Sequence, residues 1–273
     1  MSFGKRGVKI SINKIVRVGG RFFILPLIIG CTLAYNKGMK KFFIMLTMIV
    51  SVCFTAAVGL CVRALQINVP VFAQNTSGMK IVLDAGHGGI DGGITGVNTG
   101  VKESDINLQI TMLLKSRLEE DGFEVVLTRK TEAGLYGTAG KGFKKRDMEK
   151  RKEIIEEAKP DLVLSIHQNL YPTRKTRGAQ IFYNAQNEKG KLLAQGLQNH
   201  LNVLYAKQGV KNRAIMPGDY FMLNCTSSPS VIIECGFLSN AEDEKLLISD
   251  SWQNQITQAI ATGVIEYFSA LTS

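Results

Sequence analysis

The sequence predicts an α/β fold: a single domain with a mostly parallel sheet and helices on both faces, preceded by an N-terminal membrane or signal segment. Three observations carry this. Between residues 79 and 273, short apolar runs alternate with stretches whose apolar residues recur at helical spacing; such alternation implies parallel strands joined by crossover helices. The span is about the size of one domain and holds neither internal repeats nor low-complexity tracts. Residues 1–78 differ from it abruptly in charge and hydropathy.

The elements follow in chain order. Residues 80–84 (KIVLD) form the first expected strand. A loop with Gly86, Gly88, Gly89, Gly92, Gly93 and Gly96 comes next, and glycine lets backbone pass close to a ligand. Over 105–120, Ile106, Ile110, Leu113, Leu114 and Leu118 repeat at helical spacing, with Ser104 as the expected N-cap and Gly122 as the stop. Residues 124–128 read as a strand and 130–144 as a polar loop. A charged helix at 145–158 ends before Pro160, where the ring disfavours helix. Strands are expected at 161–166 and 179–183, and a helix at 188–205 with Leu193, Leu197, Leu201 and Leu204 on one face. Short strands at 220–223 and 230–234 precede a closing helix at 252–268.

Charge separates the domain from its leader. The chain has 273 residues and net charge +10, but residues 1–78 hold ten Lys and Arg and no acid. In 79–273 the other 23 basic residues meet 23 acidic ones. A neutral domain carries no electrostatic footprint for nucleic acid. Residues 1–41 read as a basic extension, 42–62 as a membrane anchor or signal-peptide core, and 63–78 as a linker to the domain at 79–273. The 42–62 stretch is uncharged and, as a helix, long enough to cross a bilayer. Lys37, Lys40 and Lys41 precede it, so the positive-inside rule puts the N-terminus in the cytoplasm and the domain outside. MKKFFIMLTMIV from Met39 also reads as the start of a signal peptide, with Val71-Phe72-Ala73 as a cleavage site. Translation from Met1 or Met39, and anchor or cleaved signal, stay open. Cys225 and Cys235 are the domain's two cysteines. No C-x-x-C pair exists, so spacing excludes a thiolate zinc site; both are expected as small buried side chains, with a disulfide as the alternative.

Four residues carry the chemistry. His87 follows KIVLDAG, His167 follows DLVLSI, Glu234 closes PSVII, and Glu103 heads the helix of KESDINL. Ligands of an open parallel sheet bind outside the carboxyl ends of its strands, and neighbouring strands lie about 4.8 Å apart, so these side chains can converge. Two imidazoles and a carboxylate make a three-ligand zinc site with an open fourth position. The second carboxylate could serve as general base on the hydrolytic water. Taken singly, each has a plainer reading. A lone histidine after a strand is more often structural, and Glu103 suits the positive end of a helix. Glu234 is harder to explain away, because an acid closing an apolar run is costly to desolvate unless paired. His200 reads as a surface residue, Asp84 as a support behind the ligands or a loop-fixing acid, Asp91 and Asp105 as solvated, and Asn169 as a substrate contact or loop anchor. Arg174, Lys175 and Arg177 could meet acidic groups of a substrate, although loop charges are usually solvated.

KIVLDAGHGG, ESDINL, SIHQN and SVIIECGFLSN, in that order, closely resemble the N-acetylmuramoyl-L-alanine amidases of the zinc-dependent Amidase_3 group. The likeness covers nearly all of 80–269. It implies a six-stranded α/β sheet, one Zn2+ held by His87, Glu103 and His167, and Glu234 as the catalytic glutamate. It further implies peptidoglycan as substrate, cut between the lactyl group of N-acetylmuramic acid and L-alanine. The membrane leader and the lack of a wall-binding module look most like the CwlD-type sporulation amidases, which act on spore cortex on the way to muramic δ-lactam. Self-inhibited relatives carry an extra helix between the second histidine and the last glutamate. Here that interval is filled by expected elements, so control would come from a protein activator or from timing. A zinc peptidase cutting inside the stem peptide and a non-catalytic wall-binding protein are the competing readings.

Overall fold

The computed structural model describes residues 17–18, 21–22, 42, 44–46, 48–51 and 78–272. The chain divides into two compact units, Met1–Pro70 and Val71–Ser273. In the first, Arg17–Val18 pairs antiparallel with Arg21–Phe22, and residues 42, 44–46 and 48–51 are helical. The basic extension, the apolar segment at 42–62 and the linker otherwise lie outside the described residues. No helix among the described residues is long and apolar enough to cross a membrane.

The second unit is built on β1 (Lys80–Ala85), α1 (Glu103–Glu120), β2 (Glu124–Leu127), α2 (Phe143–Ala158), β3 (Leu162–Asn169) and β4 (Gln180–Tyr183). It continues with α3 (Glu188–Ala206), β5 (Met216–Pro217), α4 (Phe221–Asn224), β6 (Ser230–Phe237), α5 (Ala241–Leu247) and α6 (Asp250–Thr272). The six strands form one sheet in the order β2-β1-β3-β6-β4-β5. Every neighbouring pair is parallel except β6 with β4. The expected mostly parallel, six-stranded sheet is therefore present.

Alternation along each strand sorts the core into two layers. Ile81, Leu83, Leu162, Leu164, Val231 and Ile233 face α1, α3 and α6, against residues such as Ile110, Leu114, Leu197 and Ile260. Val82, Val163 and Ile232 face the other way, onto Ile155 of α2 and Met222 and Leu223 of α4. Each such side chain contributes about 1.5–3 kcal/mol by leaving water. The second layer is the smaller, and Asp84, His167 and Glu234 continue its face toward the carboxyl ends of the strands.

Several elements differ from expectation. The run at 220–223 falls in the helical turn α4, with Tyr220 as its N-cap, and is not a strand; a four-residue apolar run fits either, and the sheet edge beside β4 is taken by Met216 and Pro217. Strands β3 and β6 run past His167 and Glu234 to Asn169 and Phe237. Those polar side chains interrupt the apolar pattern but not the backbone pairing. Helix α1 starts at Glu103, with Lys102 rather than Ser104 as N-cap. Helix α5 went unpredicted, although Asn240 caps it by accepting from the backbone N–H groups of Glu242 and Asp243; a capping residue followed by acids was its signal. Both domain cysteines are free, with Cys235 fully buried on the face opposite Glu234.

Candidate metal centre

Three elements bring the cluster together. His87 leaves β1 through Gly86 with φ of 62°, a left-handed conformation costly for a residue with a Cβ. His167 sits in β3, and Glu103 opens α1. His87 Nε2 lies 3.3 Å and His167 Nδ1 2.9 Å from the same Glu103 Oε1. One ligand atom from each residue falls within 4.8 Å of the others. Tetrahedral zinc with ligand bonds of about 2.0–2.2 Å sets ligand atoms a little over 3 Å apart, so two imidazoles and a carboxylate at this spacing fit the ion.

The surroundings aim these ligands. Asp91 Oδ2 stands 3.1 Å from His87 Nδ1. A carboxylate on the outer nitrogen fixes the tautomer and leaves Nε2 free for a cation; Asp91 is thus engaged with His87, not merely solvated. Glu103 is 2% exposed. It accepts from the backbone N–H groups of Ile94 and Gln168 and from the Asn107 amide. Burial alone would raise its carboxyl, but hydrogen bonds and charge from His167 and His87 hold it well below the usual range. Gly86 is required here, because a Cβ at that position would sit 2.2 Å from His167 Cε1.

Glu234 is the direct register partner of His167 across the parallel β3–β6 pair, so both side chains project from the same face. Its Oε2 is buried with no hydrogen-bond partner among the described residues. Burial pushes its carboxyl up to about 7, with His167 and His87 opposing and Glu103 adding to the rise. A carboxyl poised near neutrality can both take and return a proton.

Two buried arginines, which the sequence reading did not single out, hold the turn that carries His87. Arg129 donates to the carbonyls of Ala85, Gly86 and Ser104 at 2.8, 3.0 and 2.7 Å. Arg151 donates to the carbonyls of Ala85 and His87 at 2.8 and 2.6 Å and pairs with Asp147 and Asp84. Asp84 also accepts from Thr128 and Ser165, each at 2.6 Å, which makes it the loop-fixing acid expected. Arg151 could not be told from sequence among the other Lys and Arg of α2; its burial is a tertiary fact. His200 pairs with Glu266 away from the cluster, and Asn169 accepts from the next backbone N–H, anchoring its own loop. Beside the histidines opens a cleft of about 220 Å³, lined by Tyr136, Phe143, Tyr220 and Ile232 among others.

Fold and site thus define an α/β protein with a candidate divalent-cation site at a sheet rim and, beside it, an acid whose buried Oε2 has no partner among the described residues. Residues 81–266 match the family model described as N-acetylmuramoyl-L-alanine amidase. The chain is 34% identical over 195 residues to the germination-specific N-acetylmuramoyl-L-alanine amidase of Bacillus subtilis (strain 168), covering 70% of this chain and 81% of that relative. Among solved structures it is similar to the CwlD amidase from Clostridioides difficile in complex with the GerS lipoprotein, with TM-score 0.67 and 37% identity over 70% of this chain and 99% of that one. The catalytic domain of CwlV from Bacillus (Paenibacillus) polymyxa var. colistinus gives TM-score 0.59 and 29% identity, covering 70% and 98%. The chain belongs to the N-acetylmuramoyl-L-alanine amidase family, hydrolases of the cell wall. Its likeness to a germination amidase and to CwlD agrees with the CwlD-type resemblance of its motifs.

Proposed function

We propose that this chain is a zinc-dependent amidase that cuts peptidoglycan between the lactyl group of N-acetylmuramic acid and L-alanine, in spore cortex on the way to muramic δ-lactam. The observation that carries it is the meeting of His87, Glu103 and His167 with Glu234 in register beside them. In this reading those three residues hold the ion, which when bound supplies Lewis-acid polarisation of the scissile carbonyl and acidifies water. Asp91 and the backbone N–H groups around Glu103 keep the ligands aimed. Glu234 takes a proton from the attacking water and returns it to the departing L-alanine amine as the C–N bond breaks. The rising carboxyl of Glu234 supports that double duty.

The acid-free basic leader and the apolar stretch at 42–62 support an extracytoplasmic domain, anchored with its N-terminus in the cytoplasm or secreted after signal cleavage. The similar CwlD amidase was solved in complex with the GerS lipoprotein, which supports a protein partner for this chain, in this reading an activator.

Mass spectrometry of muropeptides after digestion, with and without chelator, tests the reaction. Intact stem peptides with a free L-alanine amine, formed only when metal is present, are the expected products. Cuts inside the stem would make the chain a peptidase, and binding to sacculi with no released amine would make it a wall-binding protein.

A further inference from the structure

A second cleft, of about 390 Å³, lies between the loop that follows the His167 strand and the segment that follows α3. Four cations line it: Lys175, Arg177, Lys211 and Arg213. It adjoins the catalytic row. Gln180 of β4 is the antiparallel register partner of Glu234, and Gln180 Oε1 accepts from Arg213 Nε at 2.8 Å. Arg213 therefore stands one strand across from Glu234, on the side away from His167.

Arg213 is held in place without being neutralised. Its backbone N–H and carbonyl both bond the Asn202 side chain, at 3.0 and 2.9 Å. Its guanidinium lies 5.1 Å over the Phe237 ring. Its side-chain acceptor is a neutral amide, and no carboxylate stands within ion-pair distance among the described residues. Burial pushes its guanidinium below the ordinary arginine value, against the pull of Asp243. A half-buried cation without an anion is costly to keep. Asp243, the fully buried acid nearby, is already used by Arg177 and by the N–H groups of Gly178 and Phe237. Lys175 and Lys211 are exposed and have no ion pair among the described residues. The loop carrying Lys175 is itself tied down, since Asn240 donates to the Arg174 carbonyl at 2.7 Å.

We infer that this cleft is the subsite for a carboxylate of the stem peptide, with Arg213 as its anchor and Lys175 and Lys211 at its mouth. The inference rests on the amidase reading above. The sugar and the peptide leave the scissile amide in opposite directions. Arg213 bonds the residue of β4 that is in register with Glu234, across the sheet from His167, so a stem carboxylate held there lies on the far side of Glu234 from the histidines. Carboxylate binding here fixes which way round the amide lies over Glu234.

The full chain loaded with zinc is assayed for release of the L-alanine amine from a muramyl peptide with free stem carboxylates and from the same peptide as its carboxamides. The acid form is expected to be preferred about tenfold in kcat/KM, through KM, the size of one charge-assisted hydrogen bond. That preference is expected to fall toward one in Arg213→Gln and partway in Lys211→Gln, whose exposed side chain can be changed without disturbing the fold. A merely structural Arg213 would instead lower both substrates alike and leave the ratio intact. A ratio kept in both variants, or a ratio near one in the unaltered chain, overturns the subsite alone. No amine released from either peptide overturns the amidase reading and the subsite with it.

Discussion

Glu103 and Glu234 are the same chemical group in opposite surroundings, and that contrast divides their work. Glu103 receives backbone and side-chain donors on both oxygens and stays ionised, as the proposed metal ligand must. Glu234 keeps one buried oxygen without a donor among the described residues and rises to about 7, as the proposed proton carrier should. Paired acids pushed apart by environment mark acid–base roles in many hydrolases. Glu234→Gln is therefore expected to retain metal, measured by elemental analysis, while kcat falls by about 10²–10⁴. Near-normal turnover in that variant would move the base elsewhere. The four residues themselves were readable from sequence because His87, His167 and Glu234 follow or close apolar runs and Glu103 heads a helix beside the first strand. Asp91 was not, because an exposed-looking loop acid gives no hint that an imidazole four residues earlier turns back to it.

At the scale of the element, the turn from β1 into the glycine-rich loop depends on a buried charge network. Burial would raise the Asp84 carboxyl, but Arg151, Ser165 and Thr128 together lower it to about 2 from an ordinary value of 3.8. A depressed folded value means that the stabilisation is fully present above about pH 4 and is lost as pH falls through about 2. Asp84→Asn is expected to flatten stability across that interval in acid titrations followed by circular dichroism. At neutral pH it should cost about 3 kcal/mol, since it leaves Arg151 buried with half its counter-charge removed. An unchanged acid limb would show that other carboxylates set it. Sequence marked this strand and its loop correctly, yet not the arginines that hold them. Periodicity reports which face of a helix is apolar, whereas a buried arginine on α2 looks like its solvated neighbours until the sheet is in place.

Across the whole domain, the zinc reading couples stability and activity through the cluster. An ion that binds only the folded chain adds about 2.7 kcal/mol at a hundredfold excess over its Kd. Chelation is expected to lower Tm by several degrees and abolish amine release, both restored by zinc. A Tm indifferent to chelator and zinc would mean that the three ligands grip no ion. The α/β class, the parallel core strands and the long helices were legible because the two layers of the core impose periods of two and 3.6 on the sequence. The short pieces were not. Met216–Pro217 and Phe221–Asn224 are too brief to show a period, and only the packed neighbours decide that one completes the sheet edge while the other covers Val163 and Ile232.

The side-by-side placement of His167 and Glu234 has one last consequence for assembly. Were β6 to slip against β3 by a single residue, the acid would turn into the helix-packed layer and Cys235 would stand on the face of His167 in its place. A misaligned sheet would then bury a carboxylate in hydrocarbon and lose its proposed proton carrier in the same step. The arrangement that makes the chain a hydrolase also penalises the wrong strand alignment, so molecules that fold past that penalty carry their acid on the working side.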